Sequence, residues 1–191
     1  MPPPFRSDYF AFDFAQEAWE LRQYHDVRKQ IFCEEQKLFS GSDLDDIDRR
    51  ALPIVAISNC GGMLDRVVGV VRIDERKPGV WYGSRLGVVE QYRKLTRFDI
   101  FNLFENGQPI APFNQSIGAA LIYKAVSTAN ALGARQFYAT VQEQNVRFFE
   151  KMHWRTIYAV TLHNYPHALM EVDLTRYPPS FISLQQLQVA A

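Results

Sequence analysis

Hydrophobic and polar positions change their period along the chain, and each change marks a predicted element. Residues 8–14 alternate aromatic and polar side chains, which is the two-residue period of a strand with one buried face. From residue 15 the period becomes helical, and the apolar stripe through Tyr24, Val27 and Ile31 predicts a first helix that packs on a sheet. The sequence therefore begins with a predicted strand and an amphipathic helix.

A meander of three hairpin-connected strands is predicted next. An apolar run rich in β-branched residues covers 53–58 and predicts a strand, and the next strands are predicted at 66–73 and 81–89, with asparagine, glycine and proline in the connections. Helical spacing over 116–131 and an apolar run over 136–141 then predict a strand–loop–helix–strand unit. The last predicted elements are a helix at 145–152 and a hairpin of strands at 154–162 and 167–174.

The length of 191 residues is typical of one domain with a single core, so 1–191 is interpreted as a single domain. Two segments fall outside the predicted elements. Segment 94–114 contains Asn-Gly and two prolines and is longer than an ordinary connection, which is typical of a lid or an interface. Segment 175–191 is expected to form a C-terminal tail. Both segments carry apolar residues, so the sequence leaves a homodimer open.

Charge and composition argue against several classes of protein. The 21 basic residues equal the 21 acidic residues, so neither a nucleic acid nor a membrane is expected as a partner. The first residues lack the pattern of a signal peptide, and no apolar run approaches the ~18 residues of a membrane span. Cys33 and Cys60 have no metal-ligand spacing, so free thiols and no metal are expected. These features predict a cytoplasmic globular protein.

The strongest local motif is a Q-x-x-G-x-A stretch that opens the predicted helix at 116–131. The first N–H groups of a helix have no partner inside it and carry the positive end of its dipole, which favours an anion. Small residues in this turn would let a pyrophosphate approach the backbone. A second interpretation is that the small residues simply let the helix pack closely on the sheet. The residues of this motif are Gln115, Ser116, Ile117, Gly118, Ala119 and Ala120.

Three segments, taken in order, resemble the GNAT N-acetyltransferases. Segment 86–93 resembles the family's fourth strand and the turn after it, 115–120 matches its coenzyme loop, and 141–154 resembles its fifth strand and following helix. The resemblance implies an α/β (α+β) fold, with a mixed, mostly antiparallel sheet of six to seven strands, split between strands four and five and flanked by helices. It also implies direct transfer of an acetyl or short acyl group from acetyl-CoA to the primary amine of a small acceptor.

The same resemblance assigns roles around the coenzyme. Backbone groups of Leu86, Gly87 and Val88 would pair with the pantetheine arm, and the N–H of Val88 would donate to the thioester oxygen. The amides of 115–120 would hold the pyrophosphate. Asn145 matches an asparagine that reaches toward the pantetheine, and a simple helix N-cap is the alternative.

Three features depart from the family pattern. Phe149 stands where many members have the tyrosine that reprotonates the thiolate, and the resemblance implies that it lies beside the coenzyme, but phenylalanine cannot donate a proton. His153 replaces a glycine at a helix end that tends to need a positive φ, and we interpret it as a cap. Segment 94–114 interrupts the usual connection to the coenzyme loop, and it is expected to form a lid or a wall of the acceptor site.

The acceptor side has no motif of comparable strength. Attack requires a neutral amine, so a carboxylate or a water chain must accept a proton. Glu35 lies in the apolar stripe of the predicted first helix, where burial would make it a stronger base and a catalytic candidate. The alternative is a glutamate with a structural partner.

A second resemblance, over the first third of the chain, is to acyl-homoserine lactone synthases, which share the GNAT core. Arg28 and Phe32 keep the Arg-x-x-x-Phe spacing of those enzymes, and segment 43–48 matches their spaced aspartates, although their tryptophan is missing. The resemblance implies a charge network at the acceptor face. A solvated charge run is the alternative, and it is preferred for Asp46. The residues assigned to this substrate-binding network are Arg28, Asp45, Asp48 and Arg72.

Three functions stay open from the sequence, of which N-acetyl transfer to an amine is favoured. A synthesis like that of acyl-homoserine lactones would require S-adenosylmethionine and a longer acyl pocket, so acyl-chain selectivity would separate it. The third function is an inactive coenzyme-A-binding or sensor module, which would explain why Phe149 replaces the proton-donating tyrosine. Turnover with release of thiol would exclude this function.

Overall fold

The computed structural model describes residues 9–61, 63–95, 99–101 and 116–183. Three α-helices and eight β-strands lie within these ranges. The helices are α1, Ala18–Arg28; α2, Ile117–Ala131; and α3, Val146–Lys151. The strands are β1, Tyr9–Phe14; β2, Leu52–Cys60; β3, Met63–Lys77; β4, Val80–Val88; β5, Asp99–Phe101; β6, Gln136–Gln142; β7, Trp154–Leu162; and β8, Tyr165–Val172.

All the described strands join one sheet in the order β5-β1-β2-β3-β4-β6-β8-β7. β5 is parallel to β1 and β4 is parallel to β6, whereas the other neighbouring strands are antiparallel. The predicted fold, a mixed and mostly antiparallel sheet flanked by helices, is confirmed. The three-residue strand β5 brings the described sheet to eight strands, where six to seven were expected.

The central strands are buried on both faces, which is why they are apolar at successive positions. In β2, Ile54 and Ala56 belong to the core that α2 covers, while Val55 and Ile57 belong to the core that α1 covers. The sheet is therefore the middle layer between two hydrophobic cores. No helix in the described ranges combines the length and the apolarity needed to cross a membrane.

The helix α1 continues into a π-helical segment, Lys29–Glu35, in which the N–H of Gln36 bonds to the carbonyl of Ile31 at 2.9 Å. This wider turn holds one more residue than an α-helical turn, so the side chains after Ile31 rotate away from the predicted stripe. Ile31 and Phe32 stay buried, whereas Glu35 is exposed. The predicted burial of Glu35 is therefore wrong, because the helical period on which it depended changes at this point.

The strands β4 and β6 are paired only where they begin. Residues 80–83 lie beside residues 136–139 in parallel register. After Gly83 the strand β4 follows β3, and after Ala139 the strand β6 follows β8. In the described sheet the two strands therefore diverge, which confirms the predicted split and opens a cleft in the middle of the sheet.

The described part of the insertion at 94–114 does not border this cleft. Its strand β5 pairs with β1 at the far edge of the sheet, beyond β2 and β3. The expectation that the insertion forms a lid or wall of the acceptor site is therefore wrong for these residues. Residues 96–98 and 102–115 lie outside the described part of the chain.

The described part of the C-terminal tail crosses the outer side of α2. The N–H of Ser180 bonds to the carbonyl of Ser127 at 3.1 Å, and the ring of Phe181 stacks on Phe14 with centroids 4.8 Å apart. The buried ammonium of Lys124 donates to a carbonyl of the tail. The tail therefore covers part of α2, while the homodimer stays a prediction.

Candidate functional site

Two cavities meet in the cleft between β4 and β6. One, of about 610 Å³, lies at the start of α2, and we call it the α2 cavity. The other, of about 330 Å³, borders a cluster of arginines and aspartates, and we call it the arginine cavity. Leu86, Gln142 and Phe149 line both cavities, which are therefore joined. The α2 cavity is further lined by Val88, Arg93, Ser116 and Gly118, and the arginine cavity by Asp45, Arg72, Arg76, Arg85, His163 and His167.

The first turn of α2 presents backbone amides to the α2 cavity. Ser116 is the N-cap, and its Oγ accepts a hydrogen bond of 3.1 Å from the N–H of Ala119. The N–H of Ala120 makes the first intrahelical bond, to the carbonyl of Ser116 at 3.0 Å. The amides of Ile117 and Gly118 are therefore the ones in this turn without an acceptor inside the helix. Gln115 lies outside the described residues.

Gly118 lies at an open position. A methyl group at this site would have Val88 Cγ2 at 3.9 Å as its nearest atom and Ser116 Oγ at 4.0 Å. Close packing on the sheet therefore does not require glycine here, which contradicts the packing interpretation at this residue. Ala119 and Ala120, in contrast, are buried in the core. The open side of Gly118 faces the α2 cavity, where ligand atoms have room to approach the backbone.

The amide of Val88 faces the cleft. Val88 lies opposite Gly69 in β3, and the N–H of Val89 bonds to the carbonyl of Val68 at 2.9 Å. In an antiparallel ladder this bond makes Val88 and Gly69 a non-hydrogen-bonded pair, so the N–H and C=O of Val88 point away from β3. The C=O accepts a hydrogen bond of 2.7 Å from Arg93 Nε. The N–H of Val88 is thus directed to the side from which β6 has diverged.

A β-bulge in β4 separates Val88 from the paired part of the strand. Val70 lies opposite Gly87, but Arg72 lies opposite Ser84, so β4 holds one extra residue. Arg85, within the bulge, has a φ of +56°. A methyl group on Gly87 would lie 2.8 Å from Ile31, so close packing of the π-helical segment explains this glycine. Gly87 lies opposite Val70 in the hydrogen-bonded position next to the Val88–Gly69 pair, so its N–H and C=O point to β3, and it lines neither cavity. The structure therefore gives no support to the assignment of Gly87 to the coenzyme.

The start of α3 supplies the opposite wall of the cleft. Asn145 occupies the N-cap position but makes no side-chain capping bond, and it lines both cavities. The alternative of a simple capping asparagine is therefore not supported. Phe149 is buried and packs edge-on against Trp154 at 5.1 Å, so this wall is apolar. His153 has a φ of +64°, which confirms the expected positive φ at the helix end.

Glu35 lies at the α2 cavity with a partner. Its carboxylate contacts Arg93 at 2.6 Å, and 34% of its side chain is exposed. The hydrogen bond that Arg93 donates to Glu35 raises the pKa of Arg93. This pair matches the alternative of a glutamate with a structural partner, and it ties the π-helical segment to the turn after β4.

A closed ion-pair network forms one side of the arginine cavity, and the predicted pairing of its members is confirmed. Arg28, with 0% exposure, contacts Asp43 at 2.8 Å and Asp48 at 2.5 Å. Arg72 binds both oxygens of Asp45 at 2.7 Å and also contacts Asp48 at 2.7 Å. Bidentate pairs of this kind are the strongest guanidinium contacts.

Two further residues join this network. Arg85 contacts Asp43 at 2.9 Å and Asp45 at 3.2 Å, and sequence reasoning did not find it because its orientation depends on the bulge. Asp43 is buried, although it was not assigned a site role. The side chain of Asp46, in contrast, is 91% exposed, which confirms its assignment as a solvated charge. The network therefore contains three arginines and three aspartates.

The members of the network differ in whether they line the arginine cavity. Arg28 is completely buried and does not line the cavity, so its expected direct contact with a substrate is wrong, because its side chain is enclosed by Asp43, Asp48 and Tyr24. Asp48 does not line the arginine cavity, although 16% of its side chain is exposed, and it contacts Arg28 and Arg72. Asp45 and Arg72 do line it.

Two aspartates of the network, Asp45 and Asp48, have lowered pKa values. Burial opposes the charge of Asp48, but hydrogen bonds from Arg28 and from the backbone of Asp45 outweigh it and hold the pKa of Asp48 well below its ordinary value. The hydrogen bond from Arg72 lowers the pKa of Asp45. Neither carboxylate is therefore a proton acceptor near neutral pH.

His167 is a polar group of the arginine cavity that sequence reasoning missed, since it belongs to no motif. It pairs with Gln142 between β8 and β6, so the two side chains share a face. Gln142 bonds to Gln36, after the π-helical segment, at 3.0 Å, so this is the face that α1 covers. His167 Nδ1 lies 2.9 Å from the carbonyl of Tyr165 and must be the protonated nitrogen, because a carbonyl only accepts.

The described residues contain no group of three or more His, Cys, Asp or Glu side chains arranged to hold a metal ion. Cys33 and Cys60 are free thiols, as expected.

The fold is similar to that of several solved acyltransferases, whereas no protein-family model and no curated protein sequence matches the chain. An acyl-CoA N-acyltransferase from Pseudomonas aeruginosa has 16% identity and a TM-score of 0.62, over 86% of this chain and 98% of that one. A Bacillus subtilis acetyltransferase in complex with CoA has 13% identity and a TM-score of 0.56, over 86% and 98%. BjaI, a CoA-dependent acyl-homoserine lactone synthase with SAM and isopentyl-CoA, has 17% identity and a TM-score of 0.60, over 94% and 86%.

These likenesses agree with the architecture derived from the chain itself. The chain has a split between β4 and β6, a helix start that faces the split, and an ion-pair network beside it. Taken together with the similar structures, they show that the chain has the fold of the GNAT acyltransferases.

Proposed function

We propose that the protein transfers an acyl group, in the first instance acetyl, from acyl-CoA to the primary amine of a small acceptor. The observation that carries this proposal is Gly118, which is open to the α2 cavity in the first turn of a helix at a split sheet. A backbone that ligand atoms can approach, at the positive end of a helix dipole, is suited to a pyrophosphate.

The coenzyme would lie along the cleft. The amides of Ile117 and Gly118, together with that of Ser116, would hold the pyrophosphate. The pantetheine amides would pair with β4 near Leu86 and Val88, because β6 leaves this edge of β4 unpaired in the described sheet. In this arrangement the thioester would lie near the junction of the two cavities.

The reaction would proceed by direct attack. The amine nitrogen forms a bond to the thioester carbon, and the N–H of Val88 stabilises the oxygen that becomes negative. The intermediate collapses with cleavage of the carbon–sulfur bond, and the amine gives up a proton to a base. The side chain of Phe149 cannot donate, so the coenzyme thiolate takes its proton from water.

Two residues are candidates for the base, and the structure supports His167 over Glu35. The carboxylate of Glu35 is bound by Arg93 at the α2 cavity. His167 lines the arginine cavity, and its Nδ1–H bonds to a backbone carbonyl, so in the neutral form of the ring the lone pair is on Nε2. Within the described chain Nε2 has no hydrogen-bond partner. An amine that enters the arginine cavity would therefore meet an acceptor of the correct tautomer.

A second candidate function is the transfer of a longer acyl chain, as in acyl-homoserine lactone synthesis. The arginine cavity continues through the split to apolar side chains on the α2 side, which would suit an alkyl chain. BjaI, a similar structure, was solved with isopentyl-CoA and SAM. The apolar residues of this part are Ile122, Val126, Phe137, Phe149 and Trp154.

The proposal is tested by two measurements on the full chain. Calorimetry with CoA and acetyl-CoA should show binding, and a thiol-release assay with an amine panel should show turnover. Acyl-CoAs of increasing chain length separate the two enzymatic functions. Binding of CoA without release of thiol for any acyl-CoA would instead favour an inactive coenzyme-binding module.

The free cysteines agree with the cytoplasmic location expected from the sequence.

A further inference from the structure

The proposed acyl transfer gives no role to the charged side chains that line the arginine cavity. Among the carboxylates of the described chain, only Asp45 lines this cavity, and its two oxygens are bound by Arg72 and Arg85. A cationic amine acceptor would therefore find no free carboxylate here. Arginines dominate the wall instead.

Arg85 offers unused hydrogen-bond donors to the cavity. Its Nε and Nη2 bond to Asp43 and Asp45, while its Nη1 has no hydrogen-bond partner in the described part of the chain. The guanidinium lies 4.3 Å from the ring centroid of Phe39, and 15% of the side chain is exposed. The group is held in place by these contacts, so its free Nη1 has a fixed position beside the cavity.

Arg76 is the second such group. Its Nε bonds to Asp74 at 3.2 Å, and its guanidinium lies 3.8 Å from the ring centroid of Tyr82. Neither Nη1 nor Nη2 has a hydrogen-bond partner among the described residues. Arg76 and Tyr82 both line the arginine cavity. A second guanidinium is therefore held at the wall with donors available to a ligand.

The charge balance of the surrounding side chains is positive. The network of three arginines and three aspartates is neutral, and Asp74 contacts two more arginines, Arg50 and Arg76. One positive charge is therefore left uncompensated next to the cavity. Such a wall attracts anions and repels a simple alkylammonium ion.

We infer that the amine acceptor carries an anionic group, a carboxylate or a phosphate, which Arg76 and Arg85 bind in the arginine cavity. This inference rests on the proposed function and names the class of its second substrate. Guanidinium groups suit both anions because their N–H donors match pairs of oxygens. The bound anion would hold the acceptor inside the arginine cavity, which His167 also lines.

The test compares matched pairs of acceptors in the thiol-release assay with acetyl-CoA. L-Amino acids are paired with their carboxamides, and phosphoethanolamine is paired with ethanolamine, so that the two arms distinguish carboxylate from phosphate. In at least one arm the anionic member should have the higher kcat/KM, by about tenfold or more. Its KM should rise with added salt more steeply than that of the uncharged member.

Variants locate the anion site. Arg76→Gln should remove most of the preference by raising KM, while the affinity for acetyl-CoA in calorimetry stays unchanged. Arg85→Gln should do the same, and thermal unfolding shows whether this network variant still folds. The matched control is Arg155→Gln, because Arg155 is 76% exposed and pairs with Glu171 away from both cavities.

Three outcomes would overturn the inference. Uncharged acceptors could be used as well as their anionic partners, no anionic amine could be acylated, or the preference could persist in Arg76→Gln. If acetyl-CoA still binds in these cases, the coenzyme site stands and only the acceptor class is wrong. If acetyl-CoA does not bind, the proposed function fails, and the inference fails with it.

Discussion

Replacement of Gly118 by alanine should change stability and coenzyme binding in opposite directions. The new methyl group would have no protein atom closer than 3.9 Å, so the folded chain accommodates it. Alanine has the higher helix propensity and restricts the unfolded chain, which should stabilise the protein by about 0.5 kcal/mol. The same methyl group would project toward the α2 cavity, where the pyrophosphate is proposed to approach the backbone.

The loss of affinity follows from the hydrogen bonds at risk. A methyl group that displaces the pyrophosphate weakens its charge-assisted bonds to the amides of Ile117 and Gly118. Each bond of this kind contributes about 1.5–3 kcal/mol, so CoA should bind about 10- to 100-fold more weakly. Denaturant unfolding measures the first effect, and calorimetry with CoA measures the second.

The control exchanges the same two residue types at the other end of α2. Ala131 is exposed in the last turn, so Ala131→Gly should destabilise the protein by up to about 1 kcal/mol without changing the affinity for CoA. If Gly118→Ala binds CoA as tightly as the wild type while its stability rises, the coenzyme does not approach this helix turn, and the reasoning for the site is refuted.

Three further predictions concern other parts of the molecule. His167→Gln should lower kcat about 100-fold with unchanged affinity for acetyl-CoA, whereas the exposed His25→Gln should not; equal kcat in both would exclude His167 as the base. Asp48→Asn should destabilise the protein by about 3 kcal/mol in denaturant unfolding, because the fully buried Arg28 loses a partner; an unchanged midpoint would contradict this. Burial lowers the pKa of Lys124 to about 8, so the cost of its charge is complete below pH 8 and is relieved as the pH rises toward the unfolded value. Between pH 7 and 9.5 the wild type should therefore gain about 2 kcal/mol of stability relative to Lys124→Met, and a constant difference would refute the linkage.

The elements with strong periodicity could be predicted from the sequence. The strands of the meander, the helix that begins after Ser116 and the last hairpin all appear where the pattern placed them. The pairing of the acidic segment with Arg28 and Arg72 was predicted from the resemblance to acyl-homoserine lactone synthases, and the burial of both guanidinium groups is the physical reason that they need carboxylate partners. The resemblance supplied the position of the split, which no local pattern indicates.

The parts that could not be predicted depend on backbone irregularities. The exposure of Glu35 follows from a π-helical turn, and the inward position of Arg85 follows from a β-bulge with a positive φ. Neither irregularity has a signature in residues that are otherwise ordinary for a helix or a strand. The role proposed for His167 depends on its pairing with Gln142 on the neighbouring strand and on its hydrogen bond to the carbonyl of Tyr165. The spacing of residues in the sequence does not reveal these contacts.

The network of Arg28, Arg72 and Arg85 with its aspartates affects how an acceptor would bind. It joins α1, the segment at 43–48, β3 and β4 through contacts of 2.5–3.2 Å, so the cavity wall is assembled before any molecule enters. An arriving molecule would have little side-chain motion to arrest, and its binding energy would be spent on orientation instead of on ordering the protein. Discrimination among acceptors would then depend on their shape and charge, since rigid side chains do not rearrange to bind a poorly matched molecule.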